Sequence, residues 1–317
     1  MITVKHGGRW GILAAMVLAA APAAAQTQRY PFSSGQWKGV EGSSRVEQYL
    51  GRESLYLQDA AVHLEGVTFG DGTIEVDVST PRPQAFAHVN FRALGQGEAE
   101  DVYLRLHSSG SPAAVQYAPI FKTVSAWQLQ GGSSGWGRAV FDKNAWTHLR
   151  IEVEGAAARI YVNDSPQPVL TVARLRRAER LGGVALWAEV GAYYSNFTLT
   201  PRAVVPPAPA SAAASPTPEP GVLTAWELSD AFAMDSVQAD RLPEARAWSA
   251  ARADVDGLLN ISRFRAKPGN AGVVLARTTI RSDRPQTKKL YFGYSIAEEF
   301  GGWGLQARLA DTSGILP

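Results

Sequence analysis

Three sets of side chains in this sequence have types and spacings that could do chemistry. The first is Glu75 and Asp77, at i and i+2 of the run Thr73-Ile74-Glu75-Val76-Asp77-Val78. On a strand they share a face, roughly 7 Å apart. A carboxylate pair can cleave a glycosidic bond when acid and nucleophile lie about 5–5.5 Å apart across it. The same pair is also what any strand with one wet face carries, and that plainer reading is favoured here. The second set is His88, Asn90 and Arg92 with Tyr103, Arg105 and His107. These six are the polar sides of two alternating runs, and the eight residues Ala93 to Glu100 let the runs pair as a hairpin. Arg and Asn offer paired hydrogen bonds and Tyr a stacking face, which together suit a hydroxyl-rich ligand. The third set is Gln116 and Trp127, followed by Trp136 beside the loop-like Gly131-Gly132-Ser133-Ser134-Gly135. Tryptophan near a polar loop is costly to expose unless it packs or stacks on something.

Other chemistries lack their residues. The chain has no cysteine, so disulfides, thiolate metal sites and cysteine nucleophiles are excluded. His63, His88, His107 and His148 form no short metal-ligand spacing, and no metal or cofactor is expected; calcium is not indicated by sequence. No Gly-x-Ser-x-Gly elbow supports a serine triad. Arg174, Arg176, Arg177 and Arg180 make a small basic cluster, read as a solvated loop because charge runs usually face water.

The elements that must position these residues are strands. Ile74, Val76 and Val78 alternate with polar neighbours, as do Ala87, Val89 and Phe91, then Val102, Leu104 and Leu106, then Leu149, Ile151 and Val153, then Ile160 and Val162. Turn signals separate the runs at Asp71-Gly72, Pro81-Arg82-Pro83, Gly95-Gln96-Gly97, Gly155 and Asn163-Asp164. Many short alternating strands with such punctuation indicate an antiparallel sandwich or barrel. Trp146 and Trp187 fall within strand patterns and are read as packing residues.

The ends and joints of the chain follow from composition. Lys5 and Arg9 precede an apolar run from Gly11 to Ala21, and Ala23-Ala24-Ala25 supplies a small-residue cleavage pattern. Residues 1–25 therefore read as a signal peptide, and a periplasmic or secreted location is expected. The formal net charge is +2, and loss of Lys5 and Arg9 takes it to zero, a poor balance for binding nucleic acid. No later segment is long and apolar enough to cross a bilayer, so no membrane insertion is expected after cleavage. Residues 203–220, nearly all Pro, Ala, Ser and Thr, read as an extended linker. It divides residues 26–202 from 221–317, and the latter show fewer strand runs than a complete sandwich needs.

Residues 54–201 resemble a concanavalin A-like lectin/glucanase or laminin-G-like domain. The stretches that carry the resemblance are Phe69 to Val78, His88 to Arg92 with Val102 to His107, and Gln116 to Phe121 leading to Trp127. Asn144 to Val153 with Ala158 to Asn163, and the closing run Tyr194 to Thr200, complete it. The C-terminal part resembles a galactose-binding-like jelly roll, through Trp226, Gly257 to Arg263, Phe292 to Ser295 and Phe300 to Gly304. Only Ile296 to Glu299 stand between its last two motifs, where such domains place further strands.

The resemblance implies an all-β protein: a concanavalin A-like antiparallel β-sandwich plus a smaller, truncated-looking C-terminal β domain. It implies a glycan held on the concave sheet by His88, Asn90, Arg92, Tyr103, Arg105, His107, Gln116 and Trp127. Similar-looking glucanases carry a third carboxylate three residues after the second, where this chain has Thr80. The expected function is therefore carbohydrate binding without catalysis. A glycoside hydrolase using Glu75 and Asp77, and a structural or protein-interaction module at the cell surface, are the alternatives.

Overall fold

A computed structural model describes residues 26–95, 97–125, 127–130, 132–204, 217–233, 247–265, 272–295 and 304–311. The segment read as a signal peptide, most of the one read as a linker, and the Phe300 to Trp303 motif lie outside these residues.

The first unit holds fifteen described strands. They are β1 (Gln28–Arg29), β2 (Trp37–Tyr49), β3 (Arg52–Leu64), β4 (Asp71–Ser79), β5 (Phe86–Ala93), β6 (Glu100–Arg105), β7 (Val115–Tyr117), β8 (Ile120–Phe121), β9 (Val124–Ser125), β10 (Trp136–Gly137), β11 (Thr147–Glu154), β12 (Ala157–Val162), β13 (Leu170–Val172), β14 (Gly183–Glu189) and β15 (Ala192–Arg202). One layer runs β10-β7-β6-β5-β14-β3 and the other β3-β15-β4-β11-β12-β13, all antiparallel. The two layers close on a shared core. Ile74, Val76, Val78, Leu149, Ile151 and Ile160 face Val89, Phe91, Val102, Leu104 and Leu186, all fully buried. The chain is thus an all-β antiparallel sandwich, as its alternating runs and its resemblance implied.

The layers are joined by strands that bend from one to the other. The β2–β3 hairpin turns at Leu50-Gly51, both with positive φ, and runs thirteen residues on each side. Along it β3 pairs with β15 at Leu55 to Leu57 and with β14 at Ala60 to His63. The change of partner falls at a cluster of left-handed residues: Gly42, Asp59, Val190 and Gly191. The Val190 amide donates to the Asp59 carboxylate there, at 3.2 Å. A Cβ on Gly42 would stand 1.9 Å from the Asp59 carbonyl oxygen, so only glycine fits the crossing.

The second unit holds β16 (Ala225–Ala233), β17 (Trp248–Arg252), β18 (Leu258–Asn260), β19 (Gly272–Arg277), β20 (Lys288–Ser295) and β21 (Gly304–Asp311). These form two three-stranded sheets, β17-β16-β19 and β18-β21-β20. Between them lies a small core of Trp226, Leu228, Ala251, Ala253, Leu259, Ile261, Leu305 and Ala307.

Two members of the basic cluster read as a solvated loop, Arg176 and Arg177, form a structural joint instead, while Arg174 is exposed as that reading expects. Arg176 forks to Asp254 and Asp256 of the second unit, at 2.8 Å each. Its backbone amide donates to the Tyr117 hydroxyl, which donates to buried Glu100. Arg177 is buried, pairs with Glu98 and Glu179, and donates its own amide to Glu100. Burial pushes the Glu100 carboxyl up, against the pull of those donors. Acidic partners, all but Glu179 distant in sequence, are what make these arginines buriable.

Candidate functional site

The candidate face is built by register. Strand pairing sets Trp136 opposite Gln116, Gln116 opposite Tyr103, Tyr103 opposite His88, and His88 opposite Trp187. Paired residues share a face, and the strand neighbours Val89, Val102, Leu104, Val115 and Leu186 are in the core. The five side chains therefore form one row on the side of the first layer turned away from the core. At the usual strand spacing the row is roughly 19 Å long.

Contacts along the row are specific. The His88 ring stacks on Tyr103 at 4.5 Å and lies 4.1 Å from Trp187. The Tyr103 hydroxyl donates to the Gln116 side-chain carbonyl. Burial pushes the Tyr103 phenol well up, so it remains a donor. His88 Nδ1 lies 2.9 Å from one oxygen of Asp101, and Asn90 donates to the other at 2.9 Å. Asp101 is fully buried; burial raises its pKa while His88 and Asn90 pull it down. Beside the row, Phe86 lies under the Arg105 guanidinium at 5.9 Å.

The structure brings together His88, Asn90, Tyr103, Arg105 and Gln116 from the set named by sequence. Arg92 leaves it. Its backbone is left-handed, with φ of 51°, where the β5–β14 register shifts, and alternation breaks there. The side chain is buried against the other layer, with Asp71 at 2.7 Å and the carbonyls of Gly70 and Gly155 at 3.1 and 2.9 Å. His107 lies past the end of β6 in a short 3-10 turn, its Nδ1 3.2 Å from the Ala85 carbonyl and its ring edge-on to Phe86. Trp127 sits in a turn of the excursion between β7 and β10 and is 38% exposed.

Two members of the face were not assigned to it from sequence. Asp101 alternates with Tyr103 and Arg105, and that period was enough to find it. Trp187, read as a packing residue, joins only through the β5–β14 pairing, about a hundred residues distant along the chain.

Glu75 and Asp77 belong to the other layer, on its outward side. Asp77 accepts from Asn196 at 2.7 Å and from Arg52, and its other oxygen lies 2.8 Å from His148 Nδ1. His148 Nε2 stands 3.4 Å from Glu75. Burial raises the Asp77 pKa, but the bonds and charges of His148, Asn196 and Arg52 outweigh it and leave the group below its ordinary value. The bond to Asp77 holds the His148 pKa above its ordinary value. Among the described residues no cluster of three or more His, Asp or Glu has metal-binding geometry.

No family model and no curated protein matches this chain. Several solved structures are similar. The carbohydrate binding module CBM66 from Bacillus subtilis is 15% identical, covering 52% of this chain and 95% of its own, with a TM-score of 0.42. A Bacillus licheniformis beta-glucanase is 16% identical, covering 56% and 98%, with a TM-score of 0.41. A protein of unknown function with a galectin-like fold, from Bacillus subtilis, is 13% identical, covering 57% and 99%, with a TM-score of 0.43. Identities and scores this low carry no residue role and no activity across to this chain.

Proposed function

We propose that this chain is an exported carbohydrate-binding protein that holds a glycan along the row Trp136, Gln116, Tyr103, His88 and Trp187 and does no chemistry on it. The observation that carries the reading is that row. Aromatic rings and polar groups alternate over five strands on the side of a sheet where solvated charges are the ordinary content; Trp136 and Trp187 are partly exposed, and Gln116, Tyr103 and His88 are buried between them in the row. Apolar ring faces with fixed hydrogen-bonding groups between them are what a sugar needs. Similar solved structures include both a carbohydrate-binding module and a glucanase, so the choice between binding and hydrolysis rests on this chain's own residues.

Those residues favour binding. The face carries Asp101, with both oxygens engaged, and Glu189, two strands away and four residues along. Strand geometry puts their backbones roughly 16 Å apart, beyond the about 5–9.5 Å that two-carboxylate hydrolysis uses. Glu75 and Asp77 are on the opposite layer, and Asp77 is engaged by three side chains.

A glycan array, followed by calorimetric titration of the best oligosaccharide, tests the reading. Trp187→Ala should weaken binding about tenfold or more, a change of about 1.4 kcal/mol. Arg105→Ala should cost roughly 1.5–3 kcal/mol if the guanidinium bonds the sugar. His148→Gln, on the other layer, should leave affinity unchanged. Equal affinity in Trp187→Ala and Arg105→Ala moves the site elsewhere. Release of shortened sugars by the purified protein overturns the non-catalytic reading.

A further inference from the structure

The second unit carries a surface that the glycan reading does not use. Strand β20 is hydrogen-bonded to β21 on one edge, and among the described residues no strand covers the other. Leu290, Phe292 and Tyr294 stand opposite Leu309, Ala307 and Leu305. Leu305 and Ala307 are buried in the core of the unit. Cross-strand partners share a face, so the row Leu290, Phe292 and Tyr294 prolongs the core side of that sheet beyond its cover. The three side chains are 57%, 55% and 71% exposed, and Ile280, at the start of the preceding loop, is 52% exposed. Large apolar side chains left in water forgo the gain of burial, and such clusters mark interaction surfaces.

The same segment is basic. From Ile280 to Tyr294 it holds Arg281, Arg284, Lys288 and Lys289 against Asp283 alone, all exposed. This charge selects among occupants. A second copy docked on the row would bring like charge to like. A sugar chain could stack on Phe292 and Tyr294, but it would leave Ile280 and Leu290 without apolar cover. An anionic lipid surface meets both demands. Acyl chains take the aliphatic and phenyl groups, the interface takes the tyrosine, and each nearby Lys or Arg is drawn to the anionic headgroups.

We propose that the segment Ile280 to Tyr294 docks the protein on an anionic phospholipid surface, with Leu290, Phe292 and Tyr294 entering the interface and the flanking cations facing the headgroups. The docking is peripheral: among the described residues no helix is long and apolar enough to cross a membrane. It is independent of the glycan face.

Co-sedimentation with vesicles tests it, using the chain from Gln26 so that the apolar N-terminal segment does not itself insert. The protein should sediment with vesicles of phosphatidylglycerol and phosphatidylethanolamine at low salt. It should bind phosphatidylcholine vesicles far less, and added salt should weaken the anionic binding. Phe292→Ser with Tyr294→Ser should lower partitioning at least tenfold, as should Arg281→Glu with Arg284→Glu. Trp187→Ala should leave it unchanged. The charge variants touch only exposed side chains, so they keep the test sound if the aromatic variants unfold the unit. The proposal fails if phosphatidylglycerol vesicles bring down no protein. It fails equally if light scattering shows a dimer that the aromatic variants dissolve. Binding to an anionic polysaccharide in place of vesicles also overturns it.

Discussion

His148 and Asp77 form a pair whose contribution to stability has a definite pH window. The folded-state pKa of His148 lies above its model-peptide value of 6.5, because its imidazolium is bonded to Asp77. Its contribution is therefore fully present below pH 6.5 and is lost as pH rises through the folded value. The folded-state pKa of Asp77 lies below 3.8, so its contribution is present above that and is lost as pH falls through the folded value. Between about pH 4 and 6.5 both act. Urea unfolding at pH 5.5 and pH 8.5 should show that the wild type loses more stability over this rise than His148→Gln does. Parallel losses in the two proteins would falsify the pairing. Residue-level features divide sharply in how far sequence discloses them. Period-two alternation places His88, Asn90, Tyr103 and Arg105 on one face, because each strand is regular at those positions. It fails at Arg92, where a left-handed backbone turns the side chain inward, and at His107, where the strand has ended. Trp187 does pack, on His88, but its place on this face follows from which strand lies beside β5, a tertiary fact that no local pattern encodes.

At the scale of elements, the bent strands that join the two layers decide where the row lies, since β14 meets β5 before passing into β15. That bend depends on Gly42 lying against the carbonyl of Asp59. Gly42→Ala should cost roughly 3 kcal/mol, the sum of a left-handed alanine and a Cβ driven into backbone. Gly51, at the hairpin tip, has a similar φ of +74° but open space around it. Gly51→Ala should cost only about 1–2 kcal/mol, the backbone term alone. Chemical denaturation of the two variants separates the effects, and equal losses would show that the crossing relaxes around an added methyl. This hairpin was the least legible part of the first unit. Its turn is Leu50-Gly51 rather than the Asn-Gly or Asp-Gly that signals a two-residue loop. The stretch Ser43 to Gln48 is polar enough to read as coil. The regular strands β4, β5, β6, β11 and β12 were legible because each keeps one buried face without interruption.

For the whole molecule, the two units meet through charge held by a buried anchor. Glu100 fixes the loop after β13 by accepting from Tyr117 and from the Arg177 amide, and that loop presents Arg176 to Asp254 and Asp256. Asp254 also accepts Arg263, whose guanidinium lies over Phe121 at 5.6 Å. Lys122 donates to the carbonyls of Ser262 and Arg263. On the second unit these contacts fall on the Asp254 to Arg263 segment, which includes β18 and the buried Leu259 and Ile261. Among the described residues the core there holds eight buried side chains, a small core for six strands. The first unit should therefore supply part of the second unit's stability. Arg176→Met keeps the volume but strips Asp254, largely buried, of its closest cation. Leaving a buried charge without a partner costs about 3–5 kcal/mol; here Arg263 still bonds Asp254, so the cost should be below that range, and it should fall on the second unit. Hydrogen exchange should then show faster exchange across Trp248 to Arg265, with Thr147 to Val162 of the first unit unchanged. A segment of residues 221–317 alone should melt without a sharp transition. If that segment melts cooperatively at the temperature it shows in the full chain, and Arg176→Met leaves exchange at Leu259 and Ile261 unchanged, the joint carries no stability and the units are independent.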